Sequence, residues 1–208
     1  MWRNRSAVRL ALCASALCVP LATVHAQGQF GAVVGATFSS FRGIDGLDSR
    51  TGLMGGLSLV LPLAGGIALQ PELLFVSKGA EGSEPDVDGI KLNYVEVPVL
   101  LRLSLGQGGL VNPHVYAGPY LGYNISCTVE GTDADCDDVP GISTKTVDVG
   151  GALGGGLDLS LGGLVLTGGL RYSFGISKVA DFESGLVNES AKNGVFAVYT
   201  GLAIRFGR

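Results

Sequence analysis

Beyond Leu21 the chain lacks any run of 18 or more uninterrupted apolar residues, because Gly, Pro, Glu, Asp or Arg breaks each stretch. No spanning helix is therefore expected after the N-terminal segment. Histidine is nearly missing too: His25 and His114 are the two present, which gives little basis for a metal centre or a catalytic triad. Basic residues number 14 against 18 acidic ones, a deficit that disfavours nucleic-acid binding. The Gly150 to Gly156 run superficially resembles a nucleotide loop, yet neither a helix nor a Lys-Ser/Thr pair follows it.

The N-terminal segment is read as a transport signal. Arg3, Arg5 and Arg9 precede an apolar run from Leu10 to Leu21, and Val24-His25-Ala26 offers small residues for cleavage. Residues 1–26 are thus the expected signal peptide and residues 27–208 a single domain. Leu17 stands where a lipidated Cys18 would need a small neighbour, which weighs against a lipoprotein. Removing the three arginines from 14 basic residues leaves 11 against 18 acidic, a net charge of −7. Cys127 and Cys136 then remain as an even pair in an exported chain, the pattern of a disulfide closing a short loop.

What is abundant is glycine, with 34 residues, and alternation. From Asn93 to Leu105 the odd positions Val95, Val97, Val99, Leu101, Leu103 and Leu105 are apolar, while the even ones include Glu96, Pro98, Arg102 and Ser104. A strand this long with one oily face suits the roughly 9–11 tilted residues that cross a bilayer. An exported, oily chain without a spanning helix can cross only as a closed barrel, where strand pairing satisfies every backbone group.

Alternation and breakers mark eight strands: Gln29 to Phe41, Arg50 to Leu63, Gly66 to Lys78, Ile90 to Leu105, Leu110 to Ser126, Ser143 to Leu161, Leu164 to Lys178 and Gly194 to Phe206. Tight connections at Ala64-Gly65, 106–109 and Gly162-Gly163 alternate with longer polar ones. The expected fold is all-β: an eight-stranded antiparallel up-and-down transmembrane β-barrel, with short turns at one end and long loops at the other.

Glycine also orients the faces. The polar side of the sixth strand reads Asp148, Gly150, Ala152, Gly154, Gly156, Asp158, and the fifth carries Gly118 and Gly122 among Tyr116, Tyr120 and Asn124. Small residues suit the cramped interior of an eight-stranded barrel, so the polar face is read as the lumen. The inverted assignment would give a soluble lipocalin-like ligand-binding barrel. A lipocalin normally carries a Trp near its first strand, and the sole Trp here is Trp2.

Tyr94-Val-Glu-Val-Pro98 followed by His114-Val-Tyr-Ala-Gly-Pro-Tyr-Leu-Gly-Tyr123 resembles the PorT-like, porin-family group of outer-membrane β-barrel proteins, whose members share a Tyr-x-x-Ile-Pro strand and a Gly-Pro-Tyr strand. Pro71-Glu-Leu-Leu-Phe75 with Lys78-Gly79, Asp148-Val-Gly-Gly151, Leu170-Arg-Tyr172 and Gly201-Leu-Ala-Ile-Arg-Phe206 extend the likeness over nearly the whole domain. Val97 replaces the usual Ile, and Gly207-Arg208 follow the final aromatic that assembly machinery commonly reads. The resemblance implies residence in the bacterial outer membrane, contact with its lipid and lipopolysaccharide, and biogenesis through the outer-membrane assembly machinery. Some members of that group serve protein secretion.

On the assigned register the lumen collects Glu72, Glu96, Arg102, His114, Tyr116, Tyr120, Asp148, Asp158, Arg171, Tyr199 and Arg205, an expected hydrogen-bonded ionic network that plugs the barrel. Asp133, Asp135 and Asp137 have a spacing that can ligate Ca²⁺, but Asp138 and Thr144 stand where an EF-hand needs Gly and Glu. No cofactor, nucleic acid or catalytic site is expected. The expected function is a non-enzymatic barrel serving envelope integrity or contact between its outer loops and a protein partner; a narrow porin-like channel or a secretion accessory is the alternative.

Overall fold

The computed structural model describes residues 27–42, 47–82, 90–106, 109–129, 136, 142–144, 146–176, 180–184 and 187–207. The expected signal, residues 1–26, lies outside them, as do the candidate calcium ligands Asp133, Asp135 and Asp137.

Among the described residues ten strands form in chain order: β1 (Gly28–Arg42), β2 (Leu47–Ala64), β3 (Ile67–Gly82), β4 (Ile90–Ser104), β5 (Val111–Val129), β6 (Ile142–Thr144), β7 (Val147–Leu161), β8 (Leu164–Gly175), β9 (Ala180–Ser184) and β10 (Val187–Phe206). All but β6 and β9 build one antiparallel ring of sequence neighbours, closed where β1 pairs with β10. Closure leaves the ring without an unpaired edge, the condition for placing strands in hydrocarbon.

The register also fixes the tilt. Followed from Gln29 through Val60, Gln70, Leu100, Gly118, Ala152, Ser173 and Val195, it returns at Ser39, ten residues further along β1. For eight strands this offset gives a tilt of roughly 40° to the barrel axis. At that tilt the apolar row from Val95 to Leu105 rises about 25 Å, the height of an outer-membrane apolar band.

Exposure settles which face is which. On β4, Val97, Val99, Leu101 and Leu103 are 41–56% exposed, whereas Glu96, Leu100 and Arg102 are at most 4% exposed. The same apolar-out pattern recurs in Leu57, Leu73, Val115, Leu153, Leu170 and Leu202. Solvation of polar groups would favour the opposite arrangement in water, so the soluble lipocalin-like alternative is set aside.

Glycines make the turns and the lumen possible. Between β2 and β3, Gly65 and Gly66 have φ values of 59° and 81°, as both central residues of a type I′ hairpin turn require. Inside, each of three tyrosines faces a glycine across the ladder: Tyr120 meets Gly150, Tyr116 meets Gly154, and Tyr199 meets Gly169. A Cβ at these glycines would fall 2.6 Å, 2.5 Å and 2.7 Å from the facing tyrosine's side chain. Glycine is the space that lets rings lie flat against the narrow wall.

Several strand boundaries differ from expectation: the second strand starts at Leu47, the third runs on to Gly82 and the fifth to Val129. The sixth expected strand divides into β6 and β7, because β6 leaves the ring and pairs with β9, which pairs with the outer part of β10. The last strand starts at Val187 rather than Gly194; outside the apolar band a strand no longer needs an oily face, so its polar sequence reads like a loop. The seventh ends at Gly175, with Ile176 in a bend. Alternation reports which side a residue faces, and says nothing about which strand its backbone pairs with.

Candidate functional site

The lumen is filled by side chains in layers. Nearest the long loops, β3 supplies Lys78, whose Nζ lies 2.5 Å from Glu96 Oε1 and 2.9 Å from Asp148 Oδ2. Tyr120 Oη donates to Asp148 Oδ2 at 3.1 Å. The Lys78 ammonium also lies 4.7 Å and 4.9 Å from the ring centres of Tyr94 and Tyr120, close enough for cation–π attraction in a site screened from water. Lys78 and Asp148 are fully buried.

An apolar layer of Met54, Leu74, Leu100, Ala152 and Ala197 lies below. Beneath it, Arg171 Nη2 pairs with Glu72 Oε2 at 2.7 Å, and Arg171 Nε donates to Tyr116 Oη at 3.3 Å. The guanidinium carbon lies 5.3 Å and 5.5 Å from the Tyr116 and Tyr199 ring centres. Gln70 links this layer to the next: its Nε2 donates to Glu72 Oε1 at 2.7 Å, and its Oε1 accepts from Arg102 Nη1 at 3.2 Å.

At the short-turn end Arg102 pairs with Asp158. Thr167 Oγ1 donates to Asp158 Oδ1 at 2.7 Å, and His114 Nδ1 lies 3.5 Å from the same oxygen. His114 is buried and stacks on Tyr116 with ring centres 6.1 Å apart.

Ten of the eleven expected lumen residues thus lie in this stack of layers. Arg205 does not: it is half-buried at the rim, where Nη1 donates to Gly162 O at 3.3 Å and Nη2 to Ser160 Oγ. Near the end of β10 no further lumen layer remains for it to join. Sequence reasoning missed Lys78, Gln70, Arg50 and Tyr94, all buried inside. Parity would have found three of them, since Gln70 and Lys78 share even positions on β3 with Glu72, and Tyr94 shares even positions on β4 with Glu96 and Arg102. Arg50 fell at an expected strand boundary; in the structure it donates to Ser77 Oγ at 3.5 Å.

The charges balance. Among the described buried residues, Arg50, Lys78, Arg102 and Arg171 face Glu72, Glu96, Asp148 and Asp158, four of each sign. An isolated charge in such a site costs several kcal/mol, and pairing with satisfied hydrogen bonds is the arrangement that keeps it tolerable. No group of three or more His, Cys, Asp or Glu among the described residues is placed to hold a metal. Away from the lumen, Cys127 on β5 is joined to Cys136, with Cα atoms 5.5 Å apart.

This architecture has counterparts. Neisserial surface protein A has 14% identity and a TM-score of 0.56, over 86% of this chain and 97% of that one. The outer membrane protein OprG of Pseudomonas aeruginosa has 18% identity and a TM-score of 0.55, over 88% and 98% respectively. At such identities the likeness concerns the fold. No curated protein sequence matches. The family described as outer membrane protein beta-barrel domain matches residues 22–181. Closed ring, oily exterior and matched sequence agree: the chain belongs to the outer membrane protein β-barrel domain family.

Proposed function

We propose that this protein is a non-enzymatic, plugged barrel of the bacterial outer membrane, which serves envelope integrity or presents its outer loops to a protein partner. The observation that carries the reading is the charge-balanced buried network crossed by an apolar layer. Ions meet neither a continuous polar path nor a surplus of one sign, while the cross-strand pairs hold distant strands in register. The short turns then face the periplasm and the long loops face outward. Lipid and lipopolysaccharide surround the barrel, residues 1–26 direct its export before cleavage, and the assembly machinery inserts it. The Cys127–Cys136 bond holds the start of one outer loop for contact with a partner.

The test is conductance of the purified full barrel in a planar bilayer. The plugged reading expects a flat baseline. Stable, stepwise unit currents would overturn it and favour a narrow channel. Membrane fractionation tests the location: a mature protein recovered in the soluble fraction would refute residence in the membrane.

A further inference from the structure

At the short-turn end two voids interrupt the packing of the lumen beside Arg102. A cavity of about 190 Å³ opens at the β2–β3 turn, lined among others by Gln29, Ala68, Arg102 and Ser104. A second void of about 30 Å³ lies against Gln70, Ser58, Thr167 and Tyr199, and shares Gln29, Val60 and Arg102 with the first. The residues lining the two supply amide, hydroxyl and guanidinium donors and no carboxylate. The larger void has room for a small organic acid, and the smaller for one or two waters.

Arg102 is the charged group at this mouth, and its donors are not used up. A guanidinium carries five N–H groups in a fixed fork. Among the described residues two acceptors meet it, Gln70 at Nη1 and Asp158 at Nη2. The N–H at Nε and one on each terminal nitrogen remain, on a residue 4% exposed that lines both cavities. A planar fork that lines a cavity matches the two oxygens of a carboxylate or phosphate.

We propose that the periplasmic mouth of the barrel is a binding site for a small oxyanion, a carboxylate or a phosphate group, which enters beside Ser104 and is held by the free donors of Arg102. Asp158 competes for the same guanidinium and keeps the affinity modest. The inference goes beyond the plugged-lumen reading and fails separately from it: unit currents would overturn the plug and leave saturable binding in place.

The test uses the full barrel in detergent micelles, labelled with ¹⁵N and titrated at constant ionic strength with acetate and, separately, inorganic phosphate. Amide signals of Gly31, Ser58 and Gly201, which line the inner void, are expected to shift saturably. Arg102→Gln is expected to abolish saturation, and Asp158→Asn to tighten binding about tenfold by removing the competing carboxylate. Ser104→Phe leaves the Arg102–Asp158 pair intact and fills the entrance; it too is expected to abolish binding, and it decides the matter where Arg102→Gln does not fold. Saturation by acetate alone assigns a carboxylate ligand, by phosphate alone a phosphate, and by both a general oxyanion site. Failure of both to saturate, or saturation that survives Ser104→Phe, would overturn the proposal.

Discussion

Replacing Lys78 by Met removes the ammonium held between Glu96 and Asp148 and keeps most of the side chain's volume. Lys78 and Asp148 are fully buried and Glu96 is 3% exposed, so the two carboxylates would remain at close range without the cation that now bridges them at 2.5 Å and 2.9 Å. Breaking a buried ion pair by deleting one partner costs about 3–5 kcal/mol, most of it from the charge left behind. That corresponds to a loss of roughly 150- to 5,000-fold in the folding equilibrium. The triple change Lys78→Met with Glu96→Gln and Asp148→Asn removes the orphaned charges, and it should recover stability to within about 1 kcal/mol of the native barrel. The assay is urea titration of the barrel in lipid vesicles, followed by heat-modifiable gel mobility. A single variant within about 1 kcal/mol of native, or a triple variant no better than the single, would refute the account of the lumen as a paired ionic plug.

Three further outcomes follow from the geometry. Gly154→Ala places a methyl group 2.5 Å from the Tyr116 hydroxyl and should cost about 1–3 kcal/mol by overpacking, whereas Gly168→Ala, with nothing within 4 Å of its Cβ, should stay within about 0.5 kcal/mol; the same urea titration compares them. Leu101→Arg, on the outward face near the middle of the apolar band, should cost about 2–4 kcal/mol in lipid, and Leu105→Arg near the periplasmic edge about 0–1 kcal/mol; equal costs would argue against the assigned membrane position. Reducing Cys127–Cys136, which spans a sequence separation of 9, should remove roughly 2–3 kcal/mol by the loop-entropy account, read as a lower urea midpoint in dithiothreitol than in its absence, with the Cys127→Ser/Cys136→Ser protein insensitive to the reductant.

Much of the fold was legible because barrel strands obey a two-residue period with a bilayer on one side. Val97, Val99, Leu101 and Leu103 face outward for the reason their spacing suggests: lipid tolerates apolar side chains alone, and the polar positions must turn inward. The paired glycines and tyrosines were legible in part, since a cluster of small residues on the polar face has no other use in a narrow barrel. The β6–β9–β10 ladder was not legible. Outside the membrane neither face must be oily, and the sequence then carries no periodic mark of which backbones pair.

The amino-acid sequence by itself determined the closed barrel, its polar interior and the asymmetry between short turns and long loops, because each is a local consequence of alternation, glycine and hydrocarbon. Only the tertiary structure decided the partners. Closure with an offset of ten residues brings Lys78 to Asp148 and Arg102 to Asp158, pairs separated by 70 and 56 positions in the chain. It also leaves Arg205 at the rim and a cavity beside Arg102. Inward direction is a property of one residue on one strand; height and neighbours in the lumen depend on how all eight strands are staggered.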